Sequence, residues 1–158
     1  MKSIHDLLRE HSFFSGISPA DTELIAGCGI NRHFKSGEYL AREGEPADHF
    51  YVVRKGLISV ELYSPTHGSI PIQTMNPGEV VGFSWIFPPY RWSMDLLAKE
   101  ETSLVQVDGA CLRGKCEKDP RMGYDLMKRF ARMMSDRLNA SRVQLLDLYG
   151  NDKNSTTP

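Results

Sequence analysis

The sequence predicts a mainly β domain, a compact β-roll with helices at both ends, followed by one long helix. Three observations predict it. Between Asn31 and Val107, short β-prone runs are cut by glycines at positions 37, 44, 56, 68, 78 and 82. Turn signals spaced roughly 8–12 residues apart mark an all-β sandwich or barrel. On either side of this stretch the apolar residues recur at helical spacing instead. Finally, after Asp119-Pro120 only Gly123 interrupts a stretch free of helix breakers that lasts to Gly150. A helix of that length is too long to pack wholly against one small β-roll.

Taken in order, residues 3–10 read as a short amphipathic helix with Ile4, Leu7 and Leu8 on one face. Phe13-Phe14 packs against some part of the fold and Gly16 turns the chain. Ser18-Pro19-Ala20-Asp21 starts a second helix, with Ser18 as N-cap, Pro19 at the first helical position and Asp21 closing the box. It runs to about Ala26 and ends near Gly27 or Gly29. Strands follow at Phe50–Val53, Ile58–Tyr63, Ile70–Met75 and Ser103–Val107. In the second of these Ile58, Val60 and Leu62 alternate with Ser59, Glu61 and Tyr63, which predicts one buried face and one wet face. Ser64 to Ser69 is a hairpin loop. Residues 109–117 form a short helix, and Pro120 opens the long one. Its apolar positions Leu126, Phe130, Met134, Leu138, Leu145 and Leu148 make a stripe about six turns long. A parallel contact with the same helix of a second copy buries such a stripe, and folding back over its own domain is the alternative. The expected division is 1–119 for the β-roll with its N-terminal helices, 120–150 for the long helix and 151–158 for a disordered tail.

The totals exclude several function classes. At 158 residues the chain is one domain with an appended helix. Its net charge of −1 lacks the basic excess of a nucleic-acid binder, so no direct DNA binding is expected. No apolar run reaches the length of a membrane span, and His5, Asp6, Arg9 and Glu10 interrupt any signal-peptide pattern. The expected location is the cytoplasm, without a membrane partner. Three cysteines, Cys28, Cys111 and Cys116, are an odd number that fits a reducing compartment. Cys111 and Cys116 lie close in sequence without nearby histidines, so they read as structural thiols and no metal is expected. No nucleophile–base motif surrounds any Ser, His or Asp, so no catalytic residue is assigned.

The stretch richest in chemistry is Pro77 to Ser93, PGEVVGFSWIFPPYRWS. After the Pro77-Gly78 turn, Gly82 permits a close backbone approach and about one helical turn is expected before Pro88-Pro89 stops it. A helix start offers free N–H groups to an anion, and Arg91 can close the site bidentately. This reads as an anion pocket, for phosphate, lined with aromatics. A surface turn with a partly buried arginine is the alternative.

The series Phe34-x-x-Gly37-Glu38-x-Leu40-x-x-Glu43-Gly44-x-x-Ala47-Asp48-His49-Phe50-Tyr51-Val52-Val53-x-x-Gly56, continued by Pro77-Gly78-Glu79-x-x-Gly82, resembles the cyclic nucleotide-binding domain superfamily. The catabolite activator protein is among its members. The resemblance spans residues from about 5 to 149. It implies a jelly roll, also described as a double-stranded β-helix, with a long C-terminal dimerisation helix. By the same resemblance Pro77–Ser93 is a phosphate-binding cassette. Gly82 and the N–H groups of Phe83 and Ser84 would face a cyclic phosphate, with Arg91 as counter-charge and Trp92 and Ser93 beside it. Arg137-Leu138-Asn139-Ala140-Ser141-Arg142 resembles the helix segment that touches the nucleotide, which would bring Ser141 and Arg142 to the ligand.

The sequence also departs from that pattern. Phe83 stands where cyclic nucleotide binders carry a glutamate for the ribose hydroxyl, and the next carboxylate is Asp95. Trp92 separates Arg91 from Ser93, where serine or threonine usually follows the arginine directly. Losing a charged acceptor for a buried hydroxyl costs roughly a few kcal/mol, or about two orders of magnitude in affinity. Phe83, Trp85, Tyr90 and Trp92 therefore either line a more apolar pocket or fill it. The expected function is a stand-alone regulatory sensor that binds a cyclic nucleotide or another small phosphate-bearing ligand and signals through a homodimer or a protein partner. A ligand-free interaction or scaffold protein, and the sensor half of a transcription regulator, are the competing readings.

Overall fold

The computed structural model describes residues 1–154, with side chains through Asn151. The chain falls into two compact units, Met1–Asp119 and a second that begins at Pro120.

The first unit opens with helix α1 (Ile4–Glu10). The Ser3 hydroxyl accepts from the Asp6 N–H and the Asp6 carboxylate accepts from the Ser3 N–H, both at 3.1 Å. This reciprocal cap satisfies two donors that the helix itself leaves unpaired. A 3-10 turn at Ser12–Phe14 buries Phe14. Helix α2 (Pro19–Ala26) then starts at Ser18, whose hydroxyl accepts from the Asp21 N–H at 3.1 Å.

Eight strands follow: β1 (Gly29–Phe34), β2 (Tyr39–Ala41), β3 (His49–Lys55), β4 (Ile58–Ser64), β5 (Gly68–Met75), β6 (Val80–Val81), β7 (Asp95–Ala98) and β8 (Thr102–Asp108). They form two antiparallel sheets, ordered β1-β8-β3-β6 and β2-β7-β4-β5. This is the expected jelly roll. Strands β2 and β6 have three and two residues, too few for an alternating pattern to register. The core lies between the sheets, where Tyr51, Val53 and Leu104 meet Ile58, Val60, Met75, Leu96 and Ala98.

Strand β4 departs from the expected alternation. Ser59 and Glu61 are buried, while Leu62 is 40% exposed. From Ile58 to Glu61 the strand lies between β7 and β5, whereas beyond Glu61 it pairs with β5 alone. Burial here follows how many strands flank a position and not its parity. The Ser59 hydroxyl donates to the buried Glu61 carboxylate at 2.9 Å, which supplies the partner a buried charge requires.

Helix α3 (Gly109–Lys118) begins at Asp108, whose carboxylate accepts from the Cys111 N–H at 2.7 Å. The thiols are not all free, as their odd number had suggested. Cys28 and Cys111 form a disulfide across 83 positions of sequence, and Cys116 alone is a free cysteine. The roll returns the chain to the end of α2, where Cys28 waits. Burial pushes the Cys116 thiol above its ordinary value, which keeps it in the unreactive thiol form.

The second unit is helix α4 (Pro120–Asn154). It runs past Gly150, so residues 151–154 are helical and not part of a disordered tail; residues 155–158 lie outside the described residues. Met122, Leu126 and Phe130 are buried, whereas Leu138, Leu145 and Leu148 are exposed. Among the described residues no helix is long and apolar enough to cross a membrane, and no group of three or more His, Cys, Asp or Glu could hold a metal ion.

Candidate functional site: the Gly82–Trp92 cassette

Strand β6 delivers the chain to Gly82, whose φ of 105° lies in the region that favours glycine. A second reason for glycine is steric. A Cβ at this position would come within 2.6 Å of the Trp92 Cη2 atom. The indole of Trp92 therefore lies directly against the Gly82 backbone.

The segment after Gly82 is not a helical turn. The Ile86 N–H donates to the Phe83 carbonyl and the Tyr90 N–H to the Phe87 carbonyl, both at 3.1 Å, giving two successive tight turns. Pro88 and Pro89 cause this, because neither has an N–H to return to the Ser84 and Trp85 carbonyls four residues back. No helix N-terminus is thus built to attract an anion. Arg113 of α3 donates to the Trp85 carbonyl, supplying the donor that Pro89 lacks. Its guanidinium also stacks 4.1 Å above the Tyr90 ring. Tyr90 has a φ of 52°, uncommon for a bulky residue. Sequence reasoning missed Arg113. The signal available was a double proline that leaves two carbonyls without helical partners.

Residues 90–92 are stitched to the loop before β3. The Ala47 N–H donates to the Tyr90 carbonyl at 2.7 Å, the Trp92 N–H to the Glu45 carbonyl at 3.0 Å, and the Gly44 N–H to the Trp92 carbonyl at 2.8 Å. Side chains in such an extended segment alternate. Trp92 turns inward and is buried, while Arg91 is exposed and donates to the Gly44 carbonyl at 2.8 Å. Ser93 is exposed again.

Of the residues singled out from sequence, the fold brings Gly82 and Trp92 into direct contact. Ser84 is buried and Phe83 half-buried, its ring 6.4 Å from that of the exposed Phe87. Trp85 is fully buried and stacks on Phe50 with centroids 5.2 Å apart. Asp95, the next carboxylate after the cassette, accepts from the Glu43 N–H at 2.7 Å and faces the Arg42 Nε at 3.5 Å. It is thus already engaged. Ser141 and Arg142 are exposed on α4, and the Ser141 hydroxyl donates to the Arg137 carbonyl of its own helix at 3.1 Å.

Trp92 is itself held by Tyr51, whose ring lies parallel at 6.1 Å and whose hydroxyl donates to the Leu40 carbonyl at 3.2 Å. Burial pushes the Tyr51 hydroxyl up to about 12. A folded-state value raised above the ordinary value of about 10 means that the folded protein resists ionisation. This stabilisation is complete below pH about 10 and is lost as pH rises towards about 12. Urea midpoints measured across that range should fall steeply for the native chain, and Tyr51→Phe should remove this component of the fall.

Comparison with known proteins gives the same frame. The model of the cyclic nucleotide-binding domain matches residues 31–119. The chain is 24% identical over 147 residues to a CRP-like cAMP-activated global transcriptional regulator of Mycobacterium tuberculosis, covering 93% of this chain and 64% of that protein. It is 29% identical over 73 residues to cGMP-dependent protein kinase 2 of Rattus norvegicus, covering 46% of this chain and 10% of the kinase. The chain thus spans less than two thirds of the length of either relative. Among solved structures, a Geobacter metallireducens protein classed with the cyclic nucleotide-binding proteins superposes with a TM-score of 0.77 at 25% identity, over 87% of this chain and 99% of that one.

Proposed function

Because the chain belongs to the cyclic nucleotide-binding domain family, we propose that it is a regulatory module whose cassette is closed by its own Trp92. The mycobacterial relative is named for activation by cyclic AMP and the rat kinase for dependence on cyclic GMP. The observation that carries a different reading here is the indole on Gly82, within 2.6 Å of where a Cβ would stand. A cyclic phosphate at that position has to displace an aromatic ring stacked on Tyr51. It would then find neither the glutamate replaced by Phe83 nor an inward arginine. The module works by interaction and not by catalysis, in the cytoplasm, and without gripping DNA itself.

Its output runs through α4 as a homodimer. Leu138, Leu145 and Leu148 are exposed on that helix, and an apolar stripe of this kind is stabilised by a second helix. Light scattering at micromolar concentration should give the dimer mass, and Leu145→Glu combined with Leu148→Glu should give the monomer. A native chain that is only monomeric would remove the dimer from this reading. The cassette is tested separately by thermal-shift screening. Cyclic AMP, cyclic GMP and simple nucleotides at millimolar concentration should leave the melting temperature unchanged. Stabilisation by any of them would restore the open, phosphate-binding sensor.

A further inference from the structure

We propose that the Cys28–Cys111 disulfide is a redox switch that sets how firmly α3 holds the cassette. The bond joins the end of α2 to the first turn of α3. Two residues beyond Cys111, on the same helix, Arg113 donates to the Trp85 carbonyl and covers the Tyr90 ring. One covalent tie therefore anchors the helix whose next turn grips the stretch from Trp85 to Tyr90.

Weaker ties run beside the disulfide. The Asp108 N–H donates to the Cys28 carbonyl at 2.8 Å, and the Lys115 ammonium donates to the Leu24 carbonyl at 2.6 Å. These hold the reduced chain in the same fold, so cleavage loosens α3 without unfolding the roll. Cys28 is buried, whereas Cys111 is half-buried and offers a reductant an approach. The step is thiol–disulfide exchange with a cellular dithiol. The attacking thiolate bonds to one cysteine sulfur and breaks the Cys28–Cys111 bond. The second thiol of the reductant then displaces the mixed disulfide, leaving two protein thiols and an oxidised dithiol, with two electrons and two protons transferred. In a reducing compartment disulfides of this kind are transient and redox-sensing. Cys116, with its thiol pushed up by burial, takes no part. The inference stands apart from the identity of any cassette ligand.

The test uses the whole chain purified without reductant. Alkylation under denaturing conditions and mass measurement should find one free thiol, and three after treatment with dithiothreitol. Reduction should lower the melting temperature on the order of 10 °C, because an uncrosslinked loop of this length gives the unfolded chain more freedom. It should also raise amide hydrogen exchange at residues 83–90 several-fold while that of β3 and β8 stays unchanged. Cys111→Ser should show the loosened cassette without reductant and no further response to it, and Cys116→Ser should behave as the native chain. Three free thiols in the denatured, untreated protein, or equal exchange at residues 83–90 in both redox forms, would overturn the proposal. Reduction of the native chain reads out the same effect if Cys111→Ser fails to fold.

Discussion

Replacing Trp92 with alanine should destabilise the first unit by about 3–5 kcal/mol, the range for removing a large aromatic from a core. The indole contributes to the core cluster with Tyr51, Val53, Val60 and Leu96, stacks on Tyr51 and closes the space against Gly82. Urea unfolding monitored by circular dichroism measures the loss directly, and Trp85 remains as the fluorescent reporter of the two tryptophans in the chain. Arg91→Ala is the matched comparison. Its side chain is exposed and makes one bond to the Gly44 carbonyl, so its removal should change stability by less than about 1 kcal/mol. If the two variants lost similar stability, or if Arg91→Ala lost more, Trp92 would not be the residue that fills the cassette.

Gly56→Ala should cost about 3 kcal/mol or more, because roughly 1–3 kcal/mol of backbone strain adds to a steric overlap of comparable size. Gly56 joins β3 to β4 at a φ of 103°. A Cβ there would lie 2.5 Å from the Glu101 carbonyl oxygen and 2.7 Å from the Thr102 Cα. Both are backbone atoms at the start of β8 and cannot swing aside as the end of a side chain would. Gly37→Ala separates the two contributions. Gly37 has a similar φ of 90°, but nothing lies within 4 Å of its Cβ position. It should therefore show only the strain, roughly 1–2 kcal/mol. Equal losses at the two sites would mean that the roll relaxes around Gly56 and that the close approach to β8 has little energetic weight.

The frame of the fold could be read from local chemistry wherever that chemistry acts alone. Ser18 caps α2 as its sequence context requires, and the glycines at 37, 44, 56, 68, 78 and 82 all adopt the positive φ that their turns require. Local reading ended where neighbours decide the outcome. Ser59 and Glu61 look like a wet face until β5 and β7 are placed on either side of them. The partner of Cys111 is 83 residues away, beyond the reach of any spacing argument. Between Pro77 and Ser93, sequence left open whether the aromatics line a pocket or fill it. One residue of register decides that question. Trp92 follows Arg91, so in an extended segment the indole takes the inward place and the guanidinium the outward one. Arg113 was invisible for the opposite reason, since it serves the cassette from a helix that starts 17 residues after Trp92.

The most direct test of a self-closed cassette is a heteronuclear NMR titration of the native chain with cyclic AMP to millimolar concentration. The reporters are the backbone amides of Gly82, Phe83 and Ser84 and the indole N–H of Trp92. The account predicts that all four resonances stay in place, and that the same amides begin to respond in Trp92→Ala, where the space over Gly82 is open. A saturable shift of the Gly82 amide in the native chain, accompanied by movement of the Trp92 indole, would contradict it.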